Sequence, residues 1–562
     1  MAKTHNLRSG GQVLVDQLRL HGARFAFGVP GESYLAVLDA LNDAPEIRYI
    51  ICRQEGGAAM MADAYGKLTG EPGICMVTRG PGATNASAGV HIAFQDSTPM
   101  LLLIGQVGRG MIEREAFQEI DYRRMYGQMS KWVTQIDRAE RIPEFMARAF
   151  SVATSGRPGP VVLALPEDML RERVAVEDAA AYRRAVAHPG AADMAHLRTL
   201  LSQAERPFMV LGGAGWSAAG VADIQAFAEA NSLPVGVSFR RQDRFDNTHP
   251  NYAGDVGIGL NPKLNARIQD ADLLIVVGAR LGEMTTGGYS LIEVPRPRQK
   301  LVHIHADPEE LGRVYQAELP INAGPAAFAA AARALAPVAP APWAESVAAA
   351  HRDYLDHVAP NKISGALQMA EVMAYLNETL PPETIVANGA GNYSVWPNRF
   401  YRYRNFPSIL GPISGSMGYG TPAAVAAKLL HPARPVLAFA GDGCFMMNGQ
   451  EFATAVQYGA NIIVLVVNNG MYGTIRMHQE REYPARIQGT DLANPDFAAL
   501  ARAYGAHGET VARTEDFAPA FERALAAGTP AVIELQIDPE AITPKTTLSE
   551  IREAALARAE AD

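Results

Sequence analysis

Gly441-Asp442-Gly443 is followed, after residues 444–467, by Asn468-Asn469. A hard divalent ion such as Mg²⁺ takes a carboxylate, an amide oxygen, main-chain carbonyls and phosphate oxygens in an octahedron, and this pattern can supply the first three. Asp442 ends one apolar run of strand length (PVLAFA) and Asn469 ends the next (NIIVLVV). A crossover helix between two parallel strands brings both to the same rim. The flanking glycines let backbone N–H groups approach a diphosphate. Gly-Asp-Gly alone reads equally well as a structural turn, but asparagines paired at the end of the following strand point to metal and phosphate chemistry.

Two further sets of residues carry chemical interest. Glu55 opens the helical pattern EGGAAMMADAYGKLTG directly after the strand-length run IRYIICR. In isolation it is a first-turn acid favoured by the helix dipole, yet the Ala/Gly-rich helix it faces permits close approach. The second set is RGPGATN, then QDSTPMLLLIGQV, then REAFQEID, which contains Phe117 and Gln118. That pair also reads as a polar surface helix start. In the middle of the chain, LGGAGW (Leu211–Trp216) is a glycine turn after a strand, weak evidence for a dinucleotide by itself. Arg240-Arg241, after LPVGVSF, either meets a carboxylate or forms a solvated rim.

These residues sit at the ends of strand-length apolar runs that alternate with helical patterns. FAFGVPG, IRYIICR, GICMVTRGPG and MLLLIGQV make a first set. PFMVLGGAG, ADLLIVVGARLG and KLVHIHAD make a second, and ETIVANGAG, PVLAFAGDG, NIIVLVVNN and PAVIELQID a third. Strand and helix in alternation predict parallel sheets with crossover helices. The fold class is therefore α/β, with three doubly wound parallel-sheet domains. The charged stretch Arg171–Gly190 and the Ala/Pro run Leu335–Trp343 read as linkers. At an offset of 361 residues, Lys67-Leu68 recurs as Lys428-Leu429 and Gly80-Pro81-Gly82 as Gly441-Asp442-Gly443. Two readings stay open, convergence on one turn chemistry and a duplication that makes the first and third domains similar.

Composition bounds the partners. The 562 residues are 48% apolar and 19% charged with a net charge of −9, enough for several ordinary cores. The charge argues against nucleic-acid or anionic-membrane binding by bulk electrostatics. Cys52, Cys75 and Cys444 show no CxxC spacing, which fits a reducing compartment. No leader-like apolar core follows MAKTHNLRSGGQVLVDQL, and no stretch approaches 18 uninterrupted apolar residues. The expectation is a cytoplasmic protein.

The Gly-Asp-Gly and Asn-Asn pair resembles the cofactor motif of thiamine diphosphate (ThDP) enzymes, and the resemblance runs along nearly the whole chain toward the acetohydroxyacid (acetolactate) synthase large subunit. It implies a ThDP-binding fold. The expected divisions are an N-terminal pyrimidine-binding domain (1–172), a central Rossmann-like domain (190–335), a C-terminal diphosphate/Mg-binding domain (364–545) and a tail (546–562). Asp442, Asn469 and the main chain of Met471 would hold the metal, with Gly441, Gly443, Cys444 and Tyr472 around the cofactor. Glu55 would hydrogen-bond N1′ of the aminopyrimidine and favour the imino tautomer, whose 4′-nitrogen can remove the thiazolium C2 proton. Met417, in SGSMGYGTPAA, stands where the family places the bulky residue that bends the cofactor; a gap-filling core methionine is the alternative. The carbonyl of Gly415 and the amide of Met417 would hold the pyrimidine edge. Gly391-Asn392-Tyr393 stands where relatives carry Gly-Gln-His, which leaves Asn392 a phosphate role on the glycine's agreement alone.

The same resemblance implies that Phe117 and Gln118 enter the site of a neighbouring subunit, so that the protein is a homodimer or homotetramer. It departs from the family at His478, where synthases carry a tryptophan that helps choose the acceptor 2-oxo acid. That change implies a different acceptor, or only an exposed helix residue. No adjacent histidines mark the pyruvate decarboxylase branch, and Pro30–Ser33 lacks the histidine of benzaldehyde lyases. Synthases bind a non-redox FAD across the middle domain. Val277–Tyr289 (VGARLGEMTTGGY) matches only the start of their GARFDDRVTG pattern, so FAD is a possible cofactor beside an empty vestigial pocket. The implied function is a ThDP- and Mg²⁺-dependent carboligase or decarboxylase of 2-oxo acids. The alternatives are a ThDP lyase or ligase acting on a cyclic dione, glyoxylate or an aldehyde, and a non-catalytic ThDP-fold subunit.

Overall fold

Buried parallel strands read as continuous apolar runs because both faces are covered by helices; every run picked out above is a strand, and the sheets also hold Trp132–Gln135, Pro160–Pro166, Tyr252–Val256, Leu319–Asn322, Ile409–Leu410 and His507–Val511, which were not picked out. The computed structural model describes residues 7–561; Met1–Asn6, which begin the stretch read for a leader, and Asp562 at the end of the tail lie outside them. The chain divides into two compact units on either side of the Val186–Ala187 bond.

In the first unit, β1 (Arg8–Ser9) pairs antiparallel with β8 (Arg173–Val174). Between them lie β2 (Phe25–Gly28), β3 (Arg48–Ile51), β4 (Gly73–Val77), β5 (Met100–Gln106), β6 (Trp132–Gln135) and β7 (Pro160–Pro166). These six form one parallel sheet in the order β3-β2-β4-β5-β7-β6. The helix Glu55–Thr69 starts at the N-cap Gln54, whose side chain accepts from the Gly57 amide at 3.0 Å, and ends at Gly70 with φ +73°. It lies against the helix Pro81–Asp96 so closely that a Cβ on Gly89 would stand 2.4 Å from the Ala59 Cβ. Between the two, the buried Lys67 ammonium lies 2.8 Å from Asp63 and 2.5 Å from Asp96.

The second unit holds two sheets. β9 (Pro207–Leu211), β10 (Val235–Ser238), β11 (Tyr252–Val256), β12 (Leu273–Val277), β13 (Lys300–His305) and β14 (Leu319–Asn322) run parallel in the order β11-β10-β9-β12-β13-β14. β15 (Ile385–Asn388), β16 (Ile409–Leu410), β17 (Val436–Gly441), β18 (Ile463–Asn468), β19 (His507–Val511) and β20 (Ala531–Gln536) run in the order β16-β15-β17-β18-β20-β19. Counted from its own first strand, this third sheet repeats the order of the first, second-first-third-fourth-sixth-fifth, whereas the middle sheet has the reversing order of dinucleotide-binding folds. The first and third domains are therefore alike in topology. The repeated residues are not alike in conformation or in partners. Gly80 has φ +58° and Gly441 φ −70°, and Lys428 donates to the Arg434 carbonyl at 2.9 Å rather than joining aspartates as Lys67 does.

Both low-periodicity stretches are irregular, as their composition suggests, but each is pinned. Past β8 the chain is held by Gln17, whose amide donates to Asp178 at 2.7 Å and accepts from the Ala179 amide at 3.2 Å, and the Tyr182 ring packs against His21 and Phe150. In the Ala/Pro run, the buried Trp343 donates its indole N–H to the Asn231 carbonyl at 3.0 Å, and Val338 donates to the Asn231 side chain at 2.9 Å. The helix Ala344–His357 follows, with Tyr354 edge-on to Tyr252 of β11.

The middle and third sheets are joined by buried polar groups. Arg240 and Arg241 are 3% and 4% exposed, so the solvated-rim alternative is excluded: Arg240 donates to the Pro412 carbonyl at 2.8 Å and Arg241 to the Arg240 carbonyl at 2.7 Å. Asp243 accepts from the Ser408 and Ile409 amides at 2.9 and 3.3 Å and pairs with Arg244 at 2.5 Å. Replacing it leaves two amides and a guanidinium buried without their acceptor, a loss on the order of 3–5 kcal/mol. Asp243→Ala is thus expected to lower the calorimetric melting temperature by several degrees, with Asp243→Asn recovering part of the loss; an unchanged melting temperature would remove Asp243 from the join.

Candidate active site

Ligands in open parallel sheets bind at the carboxyl ends of the strands, and there the third sheet opens a cavity of about 250 Å³. β17 delivers Gly441, Asp442, Gly443 and Cys444 to it, and β18 delivers Asn469, Met471 and Tyr472. The turns after β15 and β16 add Asn392, Gly415 and Met417. All the C-terminal residues singled out for a cofactor are thereby brought to one cavity. His478 is not among them: it is exposed on the helix Gly473–Glu482, one turn beyond the cavity-lining Thr474 and Ile475.

The chemistry centres on Asp442. It is 3% exposed, yet among the described residues no basic side chain pairs with it. Its oxygens accept from the Gly443 amide at 2.9 Å and from the Asn494 side chain at 2.7 Å. Burial raises its pKa above the ordinary carboxylate value, and the hydrogen bonds from Gly443, Asn494 and the 470–471 turn pull it back. A buried acid with neutral donors and no counter-cation, beside an amide oxygen and the main-chain turn that follows it, suits a hard divalent ion. The two asparagines divide the work. Asn469 faces the cavity, while Asn468 turns away, donating to Glu534 at 2.7 Å and accepting from the Gly470 amide at 3.0 Å.

The glycines are required by crowding. A Cβ on Gly441 would stand 2.8 Å from the Tyr393 ring, and one on Gly443 would stand 2.6 Å from the Tyr472 ring. Cys444 accepts from Tyr393 Oη and from the Gly418 amide, both at 3.2 Å, and so ties the loop bearing Gly415 and Met417 to β17. Gly415 is exposed with φ +67°, and Met417 is half-buried against the core. Asn392 donates to the Ile542 carbonyl at 3.0 Å and accepts from Thr474 at 2.9 Å. Its amide therefore ties together three cavity-lining segments. Thr474 and Ile542, which line the cavity, and Asn494, which meets Asp442 behind it, were not found from the sequence, since none belongs to a quoted motif; Tyr393 stands in the quoted Gly391-Asn392-Tyr393 segment but was given no role.

Glu55, Phe117 and Gln118 belong to the first unit. Glu55 heads its helix, half-buried, and accepts from the Asn85 amide at 2.9 Å; a Cβ on Gly82 would stand 3.3 Å from its other oxygen. Asn85 lies inside the quoted RGPGATN motif and could have been found there. Phe117 and Gln118 are in a loop, not at a helix start. Phe117 is 73% exposed, its carbonyl accepts from Arg79 at 3.1 Å, and Gln118 has φ +67°. The loop lies on the Gly80 turn, where an added Cβ would meet Gln118 at 2.7 Å. Glu55 and the Phe117–Gln118 loop thus flank one glycine turn.

Comparison with known proteins gives this arrangement a class. Residues 8–125 match the N-terminal TPP binding domain of thiamine pyrophosphate enzymes, residues 194–332 their central domain and residues 389–535 their C-terminal TPP binding domain. The chain is 33% identical over 547 residues to the acetolactate synthase large subunit of Parasynechococcus marenigrum, covering 94% of this chain and 87% of that one. It is 31% identical to the acetolactate synthase isozyme 2 large subunit of Escherichia coli, over 94% of this chain and 96% of that one. It is 30% identical to the probable acetolactate synthase large subunit of Methanocaldococcus jannaschii, over 95% and 93%. The chain belongs to the thiamine pyrophosphate enzymes, in the acetolactate synthase large-subunit family.

The helix that carries Thr474 and Ile475 is anchored at its far end by Glu480. That carboxylate is fully buried, bonded by Nε and one terminal nitrogen of Arg552, by Arg476 at 3.1 Å and by the Ala485 amide at 3.0 Å. The Arg552 hydrogen bonds, with those from Ala485 and Arg476, hold its pKa down to about 2 from 4.5. A depressed carboxylate pKa stabilises the fold above the unfolded value and loses that contribution as pH falls through the folded one. The tie between this helix and Leu548–Ala561 should therefore persist at neutral pH and loosen between about 4.5 and about 2. In Arg552→Met, hydrogen exchange of residues 548–560 should already be fast at pH 7; equal protection in parent and variant would show that the pair does not hold the helix.

Proposed function

We propose that the protein is a ThDP- and Mg²⁺-dependent carboligase or decarboxylase of 2-oxo acids, of the acetolactate synthase type. The observation that carries the reading is the buried Asp442, bonded by neutral donors and facing the same cavity as Asn469, Met471 and the glycine turn. In this reading Asp442, the Asn469 side chain and the Met471 carbonyl hold the metal, and Gly441, Gly443, Cys444, Tyr472 and Asn392 form the wall around the diphosphate. The Gly415 carbonyl and Met417 amide hold the pyrimidine, with the Met417 side chain beneath it. Glu55 keeps a proton at N1′ of the aminopyrimidine. When bound, ThDP supplies a nucleophilic carbon and an electron sink for loss of CO₂ from a 2-oxo acid. Phe117 and Gln118, which bring no charge, suit a site that releases CO₂ and admits a second carbonyl.

Assembly into a homodimer or homotetramer belongs to the same proposal. Exposed apolar side chains support it in each unit separately, Met446, Met447 and Ile475 in the third domain and Met111, Ile112 and Phe117 in the segment that leads to Gln118. No helix among the described residues is long and apolar enough to cross a membrane, and the three cysteines are free and buried; a cytoplasmic location is proposed with them. FAD is left out of the proposed chemistry, because Val277–Tyr289 matches only the start of the pattern that synthases carry. Absorbance near 450 nm in the purified protein would reverse that choice.

A panel of 2-oxo acids and aldehydes with ThDP and Mg²⁺, read by CO₂ release and product mass, tests the activity. Glu55→Gln should bind ThDP nearly as the parent does and lose several orders of magnitude in turnover, since an amide cannot share the N1′ proton. Parental turnover in that variant would take Glu55 out of the mechanism. His478 marks the acceptor side, one turn from Thr474 and Ile475. His478→Trp should leave donor decarboxylation within about tenfold, roughly 1.4 kcal/mol in barrier, while shifting products toward apolar acceptors. An unchanged product ratio in paired-acceptor competition would leave His478 a surface residue.

A further inference from the structure

We infer that the segment Thr490–Asn494 is a built-in clamp on the Asn468–Tyr472 turn, and that Asn494 is a positioning residue that fixes the Asp442 carboxylate for its ion. The identity of the ion rests on the ThDP reading above; the clamp itself does not.

The clamp has a backbone part and a side-chain part. Tyr472 donates its amide to the Thr490 carbonyl at 2.8 Å and Leu492 donates to the Gly470 carbonyl at 2.9 Å, with Met471 opposite Asp491 in an antiparallel bridge. The turn that presents the Met471 carbonyl is thus paired along its length. Leu492 then covers the glycine turn, since a Cβ on Gly443 would stand 3.2 Å from its side chain. Two residues on, the Asn494 amide nitrogen donates to Asp442 Oδ2 at 2.7 Å and to Asn468 Oδ1 at 3.0 Å. Both partners are acceptor oxygens, so only one orientation of the amide is tolerable.

These bonds belong to a longer chain. Asn468 donates to Glu534 at 2.7 Å, and Glu534, 3% exposed, accepts from Thr510 at 3.0 Å. Thr510, Glu534, Asn468 and Asp442 stand on or at the end of β19, β20, β18 and β17, which are neighbours in that order. Four strands are therefore locked to the carboxylate by neutral donors. Neutrality matters: a lysine or arginine in place of Asn494 would fix Asp442 equally well but would cancel the charge a divalent ion needs. An amide orients the carboxylate and leaves its charge available, as partners behind a metal ligand do elsewhere.

Asn494→Leu keeps the size and removes both donors. With ThDP present, Mn²⁺ binding followed by the paramagnetic resonance of the free ion should weaken by about 10–100-fold relative to the parent. In the cofactor-free protein, hydrogen exchange at the Tyr472 and Leu492 amides should speed up while the melting temperature moves by only a few degrees. If Leu cannot be accommodated, Asn494→Ala is measured in the same two ways. Parental Mn²⁺ affinity together with parental amide protection would overturn the clamp. Faster exchange in a variant whose parent binds no Mn²⁺ with ThDP would keep the clamp and overturn the cofactor reading instead.

Discussion

An ionised carboxylate taken out of water is expensive unless something compensates it, and at Asp442 the compensation is partial. Three kinds of neutral donor, a backbone amide of its own turn, the 470–471 turn and the Asn494 side chain, lower the cost without removing the charge. Much of the third domain follows from keeping that group dry and unpaired. β17 sits inside its sheet, with β15 on one side and β18 on the other, and the residues flanking Asp442 must be glycine because Tyr393 and Tyr472 close over them. Cys444, one step further, accepts from Tyr393 and Gly418. The loop expected to meet the pyrimidine is therefore held by the same few residues that seal the carboxylate.

The first domain solves a related problem with the same topology and different contacts. Its glycine turn crowds Gln118 and Thr78 where the other crowds tyrosines, and its lysine is surrounded by aspartates where the other meets a carbonyl. Identity of residue at the 361 offset was thus a poor guide to identity of role. Likeness between the domains lies in strand order, which is set by right-handed crossovers and by the place where the order reverses.

Legibility in the sequence tracked the range of the interaction. Parallel strands covered on both faces leave continuous apolar runs, so the three sheets could be read directly. Asp442 and Asn469 could be read because one crossover fixes their spacing. Asn494 is tied to Asp442 by a loop with neither apolar period nor motif, and it left no trace. Arg240 and Arg241 could not be placed from the sequence: charged residues are seldom fully buried, yet both are, with donors on the carbonyls of Pro412 and of Arg240 itself. For Phe117 and Gln118 a helix start was the alternative to a place in a neighbouring subunit's site, and it fails: Glu113, Glu115 and Gln118 all have positive φ, a loop conformation that no sequence period announces. Composition marked Arg171–Gly190 and Leu335–Trp343 as irregular without showing that Gln17 and Asn231 hold them down.

The treatment of other buried acids separates function from support. Asp63 and Asp96 share Lys67, Asp243 meets Arg244, Glu310 meets Arg280 and Arg313, and Glu480 meets Arg476 and Arg552. In each case opposite charges are brought together, and the pair ties helices, loops or domains. Asp442 and Glu534 differ from these pairs: among the described residues their side-chain partners are amides and a hydroxyl, and Asn468 and Asn494 join one to the other. A purely structural acid gains by having a cation beside it. Asp442 and Glu534 are connected by amides that orient them without neutralising them, which leaves Asp442 its charge at the cavity wall, where the proposed metal would meet it.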